Sequence, residues 1–133
     1  MIIGMGTDIV ELARLEAAIK RGGDAFLQRI YTAAELEEGQ NRLEYLGGRW
    51  AAKEAAAKAL GCGIGAGCAF TDVAVTNSPS GAPKLDCTAP AAALKKNGGL
   101  RWHVSISHER AYAVATVIVE DEDSLRTGGT AGN

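Results

Sequence analysis

The chain has 133 residues, 47% apolar and 23% charged, which is the size and make-up of one ordinary globular domain with enough core to dispense with a metal or disulfide staple. With 14 Lys and Arg against 16 Asp and Glu, the formal net charge of -2 argues against a general nucleic-acid binder, which needs a basic stripe interleaved with aromatics. No apolar run approaches the roughly 20 residues that span a bilayer, and Met1-Ile2-Ile3-Gly4 lacks the basic start of a signal peptide, so the expectation is a cytoplasmic protein without a membrane partner.

Ile2, Ile3, Ile9 and Val10 flank a glycine-rich start that reads as a short buried strand with Asp8 at its end. Leu12, Leu15 and Ile19 then recur at helical spacing, and Gly22-Gly23 is expected to stop that helix. Arg14 and Arg21, seven apart, give it a basic face. Thr32-Ala33-Ala34-Glu35 has the form of a capping box and starts a second helix, which Gly39-Gln40-Asn41 interrupts. Arg42 to Leu60 is a long run of helix formers stopped by Gly61, and the glycines through Gly67 exclude regular structure there.

From Asp72 the alternation of Val73 and Val75, the turn Ser78 to Pro83 and the segment Lys84 to Cys87 predict a hairpin. Thr88 caps a short helix that tolerates Pro90 in its first turn and runs to Lys95-Lys96. Trp102, Val104 and Ile106 alternate with His103, Ser105 and Ser107 as a half-buried strand, and Tyr112 to Val119 returns as another. Residues 121–133 lack periodicity and are expected to form a flexible tail behind a single domain spanning 1–120. The order of elements predicts an α+β domain with a mainly antiparallel sheet packed against helices. Cys62, Cys68 and Cys87 are odd in number, form no CxxC pair and have no zinc spacing, so they read as reduced, partly buried apolar residues.

The chemistry concentrates in Arg49-Trp50-Ala51-Ala52-Lys53-Glu54-Ala55-Ala56-Ala57-Lys58. Glu54 and Lys58 are helix neighbours, and Gly61 carries their face into the glycine loop. Alone they could be an exposed ion pair worth about 0.3–0.5 kcal/mol. Asp8 changes the weighing, because a carboxylate on an apolar strand is costly unless paired or metal-bound. Asp8 and Glu54 together would supply two hard oxygens, as magnesium takes from protein when phosphates and waters complete its octahedron. The competing reading makes Asp8 a helix cap or first-turn acid. His108, at the end of the strand carrying Ser105 and Ser107, fits a phosphate contact beside Lys58 and Arg49 better than a Ser-His-acid triad.

Gly6-Thr7-Asp8-Ile9-Val10-Glu11, Trp50 through Ala59, and His103-Val104-Ser105-Ile106-Ser107-His108, in this order, resemble the holo-acyl-carrier-protein synthases, the small bacterial 4'-phosphopantetheinyl transferases. The resemblance extends from Met1 to about Glu120, with Trp50 where Phe or Tyr is usual and Cys62 where a residue such as Thr is common. It implies transfer of the phosphopantetheine arm of coenzyme A to a serine of apo-acyl carrier protein, with release of adenosine 3',5'-bisphosphate, in fatty acid biosynthesis. By the same resemblance Asp8 and Glu54 would be the catalytic pair holding magnesium, and Lys58 and His108 would bind coenzyme A phosphates. Arg49, Gly61 and the turn with Gly81 and Pro83 would lie along the nucleotide. Arg14 and Arg21 would dock the acidic carrier protein. A homotrimer with active sites at its subunit interfaces is also implied. Two rival readings remain open on sequence: a non-catalytic coenzyme A or nucleotide-binding module, and a metal-dependent hydrolase of small nucleotides.

Overall fold

The computed structural model describes residues 1–93 and 99–121; the helix end expected at Lys95-Lys96 and the tail beyond Asp121 lie outside the described residues. The elements are β1 (Ile2–Glu11), α1 (Leu12–Ile30), α2 (Ala33–Gly39), α3 (Leu43–Leu60), β2 (Val73–Asn77), β3 (Pro83–Cys87), α4 (Pro90–Ala93), β4 (Leu100–His108) and β5 (Tyr112–Asp121). A 3-10 turn at Phe70–Asp72 precedes β2. The class is α+β and every described strand pair is antiparallel. The strands divide into two sheets, one ordered β1-β5-β4 and one a β2-β3 hairpin, where the sequence suggested one.

β5 is the central strand of the larger sheet, and its inward residues Ala113, Ala115, Val117 and Val119 are buried. Across them lies α3, whose Ala51, Ala52, Ala55 and Ala56 have no exposed surface. The alanine run is therefore a close-packing surface as well as a good helix former. Gly4 and Gly6 complete it from β1, because a Cβ on either would overlap the carbonyl oxygen of Ala59 or Ala55. The glycine-rich start is thus set by backbone-to-backbone approach. The other side of the sheet leaves Met5 65% and Ile9 63% exposed, with Tyr112 also open.

A second apolar cluster, of Leu15, Ile30, Tyr31, Tyr45 and Leu46, ties α1 to α3. Here the structure corrects the expectation that α1 ends at Gly22-Gly23: Gly23 takes a non-helical conformation (φ 59°, ψ -147°), and the helix resumes to Ile30. Glycine accommodates the kink, while Phe26, Leu27 and Ile30 bury at helical spacing and draw the second half back onto the core. Gln40 and Asn41 at positive φ make the sharp turn between α2 and α3, and Gly61 at φ 83° caps α3 as expected.

Candidate active site

Asp8 lies within β1, opposite Ala115, and not at the strand's end as the sequence suggested; β1 runs on to Glu11, which occupies the position before α1. The strand is longer because Ile9 and Val10 continue the ladder against Val114 and Ala113. This placement also removes the helix-cap reading of Asp8. Its carboxylate and that of Glu54, one from the strand and one from α3, line the same cavity of about 440 Å3. Leu15, Ala18 and Trp50 supply apolar wall, and Arg14 and Arg21 from α1 line it as well. Trp50 is held by Phe26 at 6.2 Å and Phe70 at 4.7 Å between ring centroids.

Lys58 does not make the simple helix pair with Glu54. Its ammonium donates to Asp8 Oδ1 at 3.1 Å and to the Thr7 carbonyl at 3.0 Å, which ties α3 to β1 at the cavity. The Asp8 side chain is only 17% exposed, so this cation offsets much of its desolvation. Glu54 is half-buried, and burial first, then the Asp8 charge, pushes its carboxyl above the ordinary value, with Lys58 pulling the other way. Two carboxylates brought together with one left short of compensation fit a divalent cation. Among the described residues no group of three or more His, Cys, Asp or Glu could hold a metal ion. A magnesium ion here would therefore depend on substrate phosphates and waters for its other positions, as it commonly does.

The other expected phosphate-binding residues gather elsewhere. Arg49 and His108 line a second cavity of about 230 Å3 with Arg42, Glu44, Tyr45, Asn77 and Ile106. Arg49 is 7% exposed and firmly held. Its Nε donates to the Val75 carbonyl at 3.0 Å, its Nη2 to Asn77 Oδ1 at 2.7 Å, and it stacks on the Tyr45 ring at 4.0 Å. Gly81, at φ 89°, and Pro83, which pairs with Asn77, belong to the turn and strand just beyond. Gly61 caps α3 one turn beyond Lys58. The single chain thus brings Asp8, Glu54, Lys58, Arg14 and Arg21 to one place and Arg49, His108 and the hairpin turn to another.

Sequence reasoning missed the ion pair between Lys53 and Glu35, both side chains 0% exposed, at 2.8 Å. The capping box is present as expected, with Glu35 Oε1 accepting from Thr32 N–H at 2.8 Å. The same carboxylate also accepts from Val75 N–H at 2.7 Å, and Lys53 donates to the carbonyls of Phe70 and Val73. The available signal was a four-residue spacing of Arg49 and Lys53 on α3 facing the three-residue spacing of Glu35 and Glu38 on α2. His103 is exposed and pairs with Glu120 at 2.7 Å on the outer sheet face. Cys62, Cys68 and Cys87 are free thiols, and burial pushes Cys68 up to about 12.

The sequence model of the 4'-phosphopantetheinyl transferase superfamily matches residues 4–117. The holo-[acyl-carrier-protein] synthase of Shewanella oneidensis is 48% identical over 123 residues, covering 90% of this chain and 97% of that protein. Among solved structures, the Helicobacter pylori holo-[acyl-carrier-protein] synthase in complex with coenzyme A superposes with a TM-score of 0.79 at 34% identity, over 87% of this chain and 99% of that one. The Bacillus anthracis holo-(acyl-carrier-protein) synthase, in complex with CoA (3',5'-ADP), gives 0.76 at 36%, over 91% and 98%. With a match across nearly all of the described domain and relatives this similar over their whole length, the chain belongs to the 4'-phosphopantetheinyl transferase superfamily.

Proposed function

We propose that this protein transfers the 4'-phosphopantetheine arm of coenzyme A to a serine of apo-acyl carrier protein, giving holo-carrier and adenosine 3',5'-bisphosphate. The observation that carries the reading is the meeting of Asp8, Glu54 and Lys58, from motifs far apart in sequence, at a cavity that Arg14 and Arg21 also line. In the transfer the serine oxygen attacks the phosphorus on the pantetheine side of the pyrophosphate and the bisphosphate departs. Asp8 and Glu54 are the residues that would hold magnesium. That ion, when bound, supplies charge neutralisation to the phosphate oxygens and the leaving bisphosphate.

Either Glu54, which lines the cavity, or a metal-activated water would take up the serine proton. Lys58 holds the Asp8 carboxylate in place and adds a cation for the phosphates. Trp50, Leu15 and Ala18 exclude water from one side of the reacting groups. Arg49 and His108 bind phosphates at the nucleotide end, with Gly61, Gly81 and Pro83 along it. Arg14 and Arg21, both exposed, meet the acidic carrier.

The division of these residues between two cavities supports a site completed by a neighbouring copy. The apolar outer face of β1 and β5, with Met5, Ile9 and Tyr112 exposed, is a surface suited to such contact. We read the assembly as a homotrimer and the setting as cytoplasmic fatty acid biosynthesis. No described helix is long and apolar enough to cross a membrane.

The test is incubation with coenzyme A, magnesium and apo-acyl carrier protein, followed by the intact mass of the carrier. A gain of one phosphopantetheine arm, abolished by chelation and restored by magnesium, is the expected result. Coenzyme A binding without gain on any carrier would favour the binding-module reading, and bisphosphate release without carrier the hydrolase. Sedimentation equilibrium of the same sample reports the trimer.

A further inference from the structure

β2 pairs with β3 along one edge, and its other edge has no strand neighbour among the described residues. On that second edge, side chains from two helices meet the backbone groups that a third strand would have met. The Val73 carbonyl accepts from Lys53, Val75 N–H donates to Glu35, the Val75 carbonyl accepts from Arg49, and Asn77 N–H donates to both oxygens of Glu38, at 3.0 and 3.1 Å. Bases from α3 and acids from α2 alternate along the strand because its carbonyl and N–H groups alternate on that edge. The substitution of side chains for a strand accounts for β2-β3 remaining a separate hairpin.

The two acid-base pairs have different surroundings. Glu35 and Lys53 are sealed, with both partners fully buried. Glu38 is 28% exposed and sits 3.5 Å from Arg49 Nη2. It also accepts from the Tyr45 hydroxyl at 2.5 Å. Arg49, Tyr45 and Asn77 are three of the residues lining the second cavity, and Glu38 bonds or pairs with each of them. We propose that Glu38 is a positioning residue for coenzyme A recognition, fixing the Arg49 fork and the Asn77 end of β2 so that the cavity presents a preformed guanidinium to substrate phosphate.

This inference rests on the reading that Arg49 faces coenzyme A phosphate. A guanidinium loses side-chain freedom when it binds an anion, and one already pinned on Glu38, Asn77 and Tyr45 loses less. The benefit falls on substrate binding, because the groups assigned to the reaction line the other cavity. Glu38→Gln is therefore expected to raise KM for coenzyme A about tenfold and to move kcat by less than about twofold.

The deciding experiment is a double-mutant cycle on steady-state transfer with Glu38→Gln, Arg49→Lys and the pair, with the melting temperature of each variant followed. Arg49→Lys loses the fork and should raise KM for coenzyme A by itself. If Glu38 acts through the fork, adding Glu38→Gln to Arg49→Lys changes KM no further. An unchanged KM in Glu38→Gln, or effects that multiply in the pair, would overturn the positioning role while leaving Arg49 as a phosphate contact. An unchanged KM in Arg49→Lys would remove that contact and the positioning role with it. Should Glu38→Gln fail to fold, Tyr45→Phe replaces it, with a KM rise of about two- to threefold expected that disappears in the Arg49→Lys background.

Discussion

Lys53 and Glu54 are consecutive residues of α3, and about 100° of helix turns them toward opposite regions of the molecule. Lys53 faces α2 and β2, where its ammonium meets a carboxylate and two backbone carbonyls and no surface remains open. Glu54 faces β1 and the larger cavity, where its nearest charged company includes another acid. One region has matched every buried donor with a protein acceptor; the other holds like charges together and leaves room beside them. The first arrangement specifies a fold, and the second leaves Glu54 with a raised carboxyl beside an open cavity. Charge in a buried stretch therefore indicates function by what it lacks in the protein, rather than by its presence.

The strongest way to break the comparison is at Lys53. Lys53→Ala leaves Glu35 buried without its cation and the Val73 carbonyl without the Lys53 donor, so a loss of about 3–5 kcal/mol of stability is expected by denaturant titration. A loss below about 1 kcal/mol would show that the pair is not the closed element described. At the adjacent residue the outcome should invert. Glu54→Gln is expected to lower transfer about 10²–10³-fold while the melting temperature holds or rises, since a carboxylate strained against Asp8 is removed. Undiminished turnover would take Glu54 out of the mechanism.

That inversion also marks what the sequence could convey. Asp8, Glu54 and Lys58 were legible because an acid on an apolar strand and a charged pair within an alanine run each demand a reason. The pairing of Asp8 with Glu54 was expected as well; what the sequence hid is how it comes about, with Gly4 and Gly6 letting β1 lie directly against α3. The capping box at Thr32 was legible as a local pattern, yet the second duty of Glu35 was hidden, since Lys53 and Val75 are far from it along the chain. The continuation of α1 past Gly23 was hidden for the same reason: the glycine pair is a local stop signal, and the burial of Ile30 that overrides it is tertiary. The split into two sheets followed from side chains taking the place of a strand, for which no periodicity exists to be read.

The rim of the open region should respond more weakly and more selectively than its centre. Arg14 is exposed and lines the cavity without an ion pair to Asp8 or Glu54 in the structure. Arg14→Glu reverses one charge on the surface proposed to meet an acidic partner, and is expected to raise KM for the carrier protein about tenfold with coenzyme A binding unchanged and a slope against salt that flattens. Equal loss of both substrates would instead point to a folding defect, which the melting temperature of the variant checks.

The smallest effect separates the local from the tertiary duty of Glu35. Thr32→Ala removes the hydroxyl that accepts from Glu35 N–H at 3.2 Å, but it leaves the Thr32 backbone N–H, and so the reciprocal bond to Glu35 Oε1, in place. Lys53 and Val75 keep their bonds to the same carboxylate. Only one helix-start donor is orphaned, so the expected cost is about 1 kcal/mol, several times less than that of Lys53→Ala, with kcat and both KM values unchanged. If Thr32→Ala cost as much as Lys53→Ala, the carboxylate would have to be held chiefly by its cap, with the ion pair following from it. A small cost places the causation the other way: the buried cation fixes Glu35, and the cap forms on a side chain already held by the core.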